Sequence, residues 1–312
     1  MAYLKAFGAY LPGRVVANAE MAALAGCEAE WIREVSGIEE RRFAVDGESV
    51  ADMATEAARD CLARAGMTAG ELGMVVVASG SAERRFPGPA ASVAQRLGLE
   101  AAPALDIPMA SAGSLVGLVL ASRLAAEFGN VLVVGAEKMS SVVLTPPIDR
   151  NTAILFGDGA GACLVSATGG GAEIVESAWH TDGAFAENLR LEFGAGLSMD
   201  GRTVIMQASR KIPRAITEVL EKSGRGAEDV DVFLMHQANW NLMARVAQAL
   251  KVGPEKFYSN IQRYGNTSSA SLLIAAAEWG RAAGFRAGGP VVLAAFGAGF
   301  NWGALVAVGR DS

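Results

Sequence analysis

Hydrophobic positions along the chain alternate between a helical period and short unbroken runs. Over residues 52–65 apolar and small side chains recur every three or four positions, with Met53, Ala57 and Cys61 in line, which predicts an amphipathic helix. The run MVVVASG (74–80) is continuously apolar, as a buried strand requires. A helix over 90–97, a strand at ALDI, a long apolar helix over 111–128 and a strand at NVLVVGAE follow. Such alternation predicts an α/β fold with helices layered on a largely parallel sheet.

A glycine-rich break at 168–171 follows FGDGAGACLVS, and the order of elements then starts again. The second series has a helix over 211–222, a strand at DVFLMH, helices over 240–250 and 268–283, and the closing PVVLAAFGAGFNWGALVAVG. VLVVGAE then FGDGAGACLVSA parallels VVLAAFGAG then FNWGALVAVG, each reading as strand, Gly-rich turn and strand. The likeness predicts an internal duplication, with halves 1–168 and 169–312 sharing one interface.

Composition narrows the function classes. Of 312 residues, 51% are hydrophobic and 19% charged, which excludes intrinsic disorder. Twenty-seven Lys and Arg against 33 Asp and Glu leave a net charge of −6, so no cationic field favours nucleic acid. Apolar stretches such as 115–120 and 272–277 fall short of the roughly 20 residues that span a bilayer, so no membrane role is expected. Gly8 and Pro12 interrupt the first residues, unlike a signal peptide, and a cytoplasmic location is expected. Cys27, Cys61 and Cys163 show no CxxC spacing, and with two histidines they predict no metal site; Cys61 and Cys163 read as core residues.

Individual side chains then suggest chemistry. Ser111, in LDIPMASAGSLVG, lies where a strand gives way to a helix, which suits a nucleophile near free amides or a simple N-cap. His236 closes an apolar strand before QAN, a position open to a site residue or to a structural imidazole. His180, before Asp182 and Gly183, reads as a turn residue. Asn266, in YGNTSSAS, can cap a helix or offer its amide as a fixed donor. FGAGFNWG gathers Gly297, Gly299 and Gly303, as a tight bend or a close backbone approach to a ligand would need.

In this order GIEERRF, RRFPGPAA, ALDIPMASAG, DRNTAILFGDGAGACLV, MHQANWNL, RYGNTSSAS and AFGAGFNWGA resemble the β-ketoacyl-[acyl carrier protein] synthase III family over essentially the whole chain. The resemblance implies a thiolase fold, with two duplicated halves in a five-layered α/β/α/β/α core, and a homodimer. It implies that an acyl group is taken from acyl-CoA by a cysteine, and that His and Asn then assist decarboxylation of malonyl-ACP. These match His236 and Asn266, and the resemblance places the backbone amides of Ser111 and Gly299 in the oxyanion hole. It further implies CoA contacts at Trp31, Arg150 and Asn239, a dimer-crossing residue at Phe86, and carrier-protein docking at Arg245 and Lys251. No metal or redox cofactor is implied; the CoA thioester is a substrate.

The main departure is Ser111, which stands where the family carries the cysteine. A thiol titrating near ~8.5 is ionised with modest help, whereas a hydroxyl needs a general base, and His236 is the candidate. Slow or absent self-acylation is therefore expected, whether the serine is natural or engineered. Val35 stands where Arg is usual, so weaker CoA binding is expected; Asn241 stands where a carrier-contacting Arg is common, with Arg245 and Lys251 still supplying charge; and Ser114 stands where Phe is usual, so a larger or more polar acyl site is expected. Condensation is the leading reading. Alternatives are simple acyl transfer, an atypical starter-unit enzyme, and a non-catalytic acyl-binding or partner subunit.

Overall fold

The computed structural model describes residues 1–311. Ten strands form the main sheet: β1 (Tyr3–Tyr10), β2 (Met74–Ala78), β3 (Ala104–Ile107), β4 (Asn130–Glu137), β5 (Gly159–Ser166), β6 (Ala172–Thr181), β7 (Val232–Met235), β8 (Phe257–Tyr258), β9 (Pro290–Gly297) and β10 (Asn301–Gly309). Their spatial order is β8-β7-β9-β10-β6-β1-β5-β4-β2-β3. Adding five to each strand number of the series β1-β5-β4-β2-β3 gives β6-β10-β9-β7-β8, so the two halves share one topology. They join where Tyr3 and Leu4 pair with Glu173 and Ala172.

The sheet is mixed rather than largely parallel. Four neighbouring pairs are parallel and five antiparallel. The glycine-punctuated pairs β4/β5 and β9/β10 account for two of the latter. Only residues 298–300 connect β9 to β10, too few for the crossover that parallel neighbours need.

Alternation along the strands divides the core into layers. Val75, Val77, Leu132 and Val134 face the helix Val50–Ala65 on one outer side. Val76 and Val133 turn inward, as do Leu234, Val291, Leu293 and Leu305 of the other half, against the buried helices Gly113–Phe128 and Ser271–Ala282. Phe233, Met235, Val292 and Val306 face the helices Gly201–Lys222 and Trp240–Leu250 on the second outer side. The result is the expected α/β/α/β/α arrangement. Cys61 and Cys163 are buried in it.

Several helix boundaries differ from the periodic reading. The helix expected from 52 begins at Val50, because Ser49 and Asp52 form a reciprocal capping box. The helix expected from 211 begins at Gly201, where Asp200 accepts from the Thr203 amide; the stripe Ala208, Ile212, Ala215, Ile216 and Val219 runs straight through Pro213. The helix expected over 268–283 opens as a 3-10 turn, Ser268–Ala270. His180 lies in β6, not in a turn, with Nε2 2.7 Å from Glu218 Oε2. Among the described residues no helix is long and apolar enough to cross a membrane.

Two glycines let the halves interpenetrate. A Cβ on Gly135 of β4 would stand 2.3 Å from the Ser269 carbonyl oxygen, and one on Gly297 of β9 would stand 2.3 Å from that of Ala110. Both distances are well inside van der Waals contact. Each half thus uses a glycine of its own strand to admit the other half's pre-helical loop, at different registers: Gly135 pairs with Gly161, and Gly297 with Asn301.

Candidate active site

Ser111 follows β3 and precedes the helix Gly113–Phe128 by two residues, at a left-handed φ of 60°. For a non-glycine residue that geometry carries strain on the order of 1 kcal/mol or more. The residue at the N-cap is Ala112, with no side-chain cap, so the Ser111 hydroxyl is not spent on capping. Its amide donates to Ser268 Oγ at 3.0 Å, and that hydroxyl donates to Glu137 Oε1 at 2.9 Å. The Ser111 N–H that the resemblance assigns to an oxyanion hole is therefore already engaged in this structure.

Glu137, which closes β4, is fully buried and had no place in the sequence reading. Its carboxylate accepts from the Ser79 hydroxyl, the amides of Gly80, Ser81 and Ser269, and the hydroxyls of Ser81 and Ser268. Among the described residues it has no cationic partner, so these donors alone offset the loss of water. The available signal was a charged residue ending an otherwise apolar strand.

His236 follows β7, with Nδ1 2.5 Å from Ser271 Oγ. Burial pushes its imidazole down to about 4, against a smaller upward pull from the Ser268 backbone. Asn266 is stapled to the 155–157 segment: its amide donates to the Leu155 carbonyl and its carbonyl accepts from the Gly157 amide. Its side-chain Oδ1 accepts from the Ser268 amide at 2.9 Å, which fixes the amide orientation and turns Nδ2 away as a donor.

Ser111, His236 and Asn266 line one cavity of about 50 Å³, walled by apolar side chains including Phe156, Met199, Leu242 and Phe296. A second cavity, about 250 Å³, shares Met199, Val204, Ala238, Leu242 and Asn266 with it and runs out to Trp31, Asn151 and Asn239. At that mouth the Arg150 guanidinium stands 5.8 Å from the centre of the Trp31 ring. Asn239 uses both ends of its amide locally. Oδ1 accepts from the Asn241 amide as a helix cap, and Nδ2 donates to the Val35 carbonyl.

Gly297 packs against Ser111, where a Cβ would meet Ser111 Cβ at 3.0 Å, and a Cβ on Gly299 would meet the Asn301 side chain. Ser114 does not line the cavity beside Ser111 but is sealed in the core, with its hydroxyl unpaired. The helix that carries it turns it away from this cavity. Among the described residues no hydrogen bond joins Ser111 Oγ to His236 in this state. Phe86 is 85% exposed, far from a core role. Arg245 and Lys251 are exposed on and just beyond the helix that sends Leu242 into the cavity.

The depressed value at His236 has a consequence for stability. Between about 4 and the ordinary 6.5 the unfolded chain binds this proton and the folded chain does not, so stability rises with pH across that window. The contribution is on the order of 3 kcal/mol from pH 4 to pH 7. Urea unfolding of the wild type and of His236→Asn at both pH values checks it: the variant should have a visibly flatter dependence, and equal slopes would contradict the assignment.

Comparison with known proteins places the chain among enzymes of one kind. Residues 105–183 match the model of 3-oxoacyl-[acyl-carrier-protein (ACP)] synthase III, and residues 220–308 match that of its C-terminal region. The β-ketoacyl-[acyl-carrier-protein] synthase III of Bacillus pumilus is 37% identical over 96% of both chains. The crystal structure of 3-oxoacyl-[acyl-carrier-protein] synthase III from Aquifex aeolicus superposes with a TM-score of 0.94 at 34% identity, covering 99% of this chain and 100% of that one. The priming β-ketosynthase of the R1128 polyketide pathway superposes at 0.91 with 29% identity, over 100% and 97%.

Proposed function

Because the chain belongs to the 3-oxoacyl-[acyl-carrier-protein] synthase III family, we propose that it moves an acyl group from acyl-CoA onto Ser111 and condenses it with the malonyl group of malonyl-ACP. The observation that carries this reading is the convergence of Ser111, His236 and Asn266, from both halves of the chain, at the inner end of a passage edged by Trp31. The reaction class is acyl transfer. Ser111 Oγ would attack the thioester carbon and release CoA thiol. Loss of CO2 from the malonyl thioester would then leave an enolate, whose oxygen takes a hydrogen bond from Asn266 Nδ2 and whose carbon attacks the Ser111 ester; the ester C–O bond breaks, and the displaced Ser111 oxygen takes up one proton from water. Fixed donors aimed at developing negative charge are the strongest catalytic device such a site has.

The cavity bounds the acyl group. About 50 Å³ beside Ser111 leaves room for roughly three to five water-sized groups, given that one water needs ~10–15 Å³ by the same measure. Acetyl-CoA is therefore the first probe, and octanoyl-CoA should react poorly.

The site also fits a homodimer and a carrier protein. Strand β3 has a neighbour only on its β2 side, and Leu105 on it is 38% exposed. Asp106 accepts from the Ala90 amide and so ties the segment after Phe86 to this open edge. A second copy would cover both the edge and Phe86. Arg245 and Lys251, beside the passage, would meet the carrier protein, and Arg150 with Trp31 the CoA.

A second reading, acyl transfer to an alcohol or amine without carbon–carbon bond formation, is favoured by Ser111 itself. An oxygen ester is a weaker acylating agent towards carbon than a thioester. Products separate the two. With acetyl-CoA and malonyl-ACP, condensation predicts acetoacetyl-ACP and one CO2 per product, from a species of twice the chain mass in sedimentation. Transfer predicts an ester or amide without CO2. Failure of the isolated protein to turn over any thioester would leave only the non-catalytic reading.

A further inference from the structure

Ser271 touches His236, and the foregoing chemistry gives it no part. It is the first residue of the helix Ser271–Ala282 and is 2% exposed. Three polar atoms surround its hydroxyl: the Gln237 amide at 3.1 Å, the Ser268 carbonyl oxygen at 3.1 Å and His236 Nδ1 at 2.5 Å. The amide can only donate and the carbonyl can only accept. A hydroxyl has one proton and two lone pairs. If its proton goes to the Ser268 carbonyl, the lone pairs accept from the Gln237 amide and from a protonated Nδ1, and all three contacts are hydrogen bonds. If its proton goes to Nδ1 instead, two oxygens face one another at 3.1 Å with no hydrogen between them. The Ser268 carbonyl keeps its bond from the Ser271 amide in either case, but only the first arrangement avoids setting two oxygen lone pairs against each other.

The geometry points to Ser271 as a positioning residue that holds neutral His236 with its proton on Nδ1, so that Nε2 offers a lone pair to the cavity lined by Ser111. The nitrogen on the far edge of an imidazole takes its role from the bond made by the near one. This replaces the donor role that the resemblance gives His236 and leaves Asn266 Nδ2 as the donor. It rests on the acyl-transfer reading of the cavity, and it supplies what a serine needs and a cysteine does not.

The step balances as follows. As the bond from Ser111 Oγ to the acyl carbon forms, the hydroxyl proton passes to Nε2. As the carbon–sulfur bond breaks, the departing CoA thiolate takes that proton from Nε2. CoA leaves as the thiol, and His236 returns to its Nδ1–H form.

The chain has only two histidines, so the test is clean. In uniformly 15N-labelled protein at pH 7, with His180→Asn assigning the other ring, long-range 1H–15N correlation should show a protonated, pyrrole-type Nδ1 and an unprotonated, pyridine-type Nε2 for His236. Ser271→Ala should abolish that preference and slow acetylation of Ser111 by acetyl-CoA about tenfold or more. Ser271→Thr, which keeps the hydroxyl, should restore both. Protonated Nε2 in the wild type overturns the assignment. So does a Ser271→Ala protein with unchanged tautomer and unchanged rate. The tautomer is read without substrate, so an Nδ1–H signal in a protein that acetyl-CoA never acetylates upholds the assignment and contradicts the acyl-transfer reading alone.

Discussion

His236→Ala slows acetylation of the wild-type chain by about 10²–10⁴-fold, the range that a lost general base covers. In the Ser111→Cys background the same change slows acetylation by less than about tenfold, because a thiol near ~8.5 needs little help to ionise. The contrast between the two backgrounds carries the meaning. A histidine that served only the enolate would leave acetylation untouched in both. One that merely propped up the fold would depress both alike. Stopped-flow mixing with acetyl-CoA, quenched for intact-mass analysis, measures all four rates. Ser111→Cys alone should be the fastest of them.

The second large effect falls on stability. Glu137→Ala removes the shared acceptor of several buried donors, among them the hydroxyl that receives the Ser111 amide. Orphaned donors at ~1–3 kcal/mol each, partly rehydrated, place the loss at about 3–5 kcal/mol. Denaturant unfolding reads it directly. Glu137→Gln keeps the shape and some acceptor capacity, but its amide nitrogen must face a donor. It should recover part of the loss. A Glu137→Ala protein within about 0.5 kcal/mol of wild type, the range of ordinary surface changes, would show that the carboxylate is not the hub that its contacts describe.

Much of this architecture was legible because buried strands and amphipathic helices write their period into the chain. The repeated strand, glycine turn and strand announced the duplication that the shared strand order displays. Parallel and antiparallel pairing was less legible, since an apolar run reads the same in either direction. Residues 201–210 of the helix Gly201–Lys222 went unread because only Ala208 among them is buried, which leaves little apolar stripe to follow. Ser111, His236 and Asn266 could be singled out because each sits where one kind of element gives way to another. Their supports could not. Ser268 meets Glu137 across 131 residues and Ser111 across 157, and nothing local in the sequence encodes such a bond. Serines at a helix start read as caps, which concealed the part of Ser271. The packing role of Gly297 was not legible because a glycine-rich turn does not show which residue meets the other half; the 2.3 Å approach to Ala110 does.

The central claim is that Ser111 accepts the acyl group. Single-turnover mixing with one equivalent of acetyl-CoA, followed by intact-mass analysis and peptide mapping, tests it most directly. The account predicts one acetyl mass per chain, on the peptide containing Ser111, absent from Ser111→Ala and strongly slowed in His236→Ala. A wild type that stays unmodified while the Ser111→Cys variant is acetylated, a wild type and variant that both stay unmodified, or an acetyl group mapped to another residue would each contradict it.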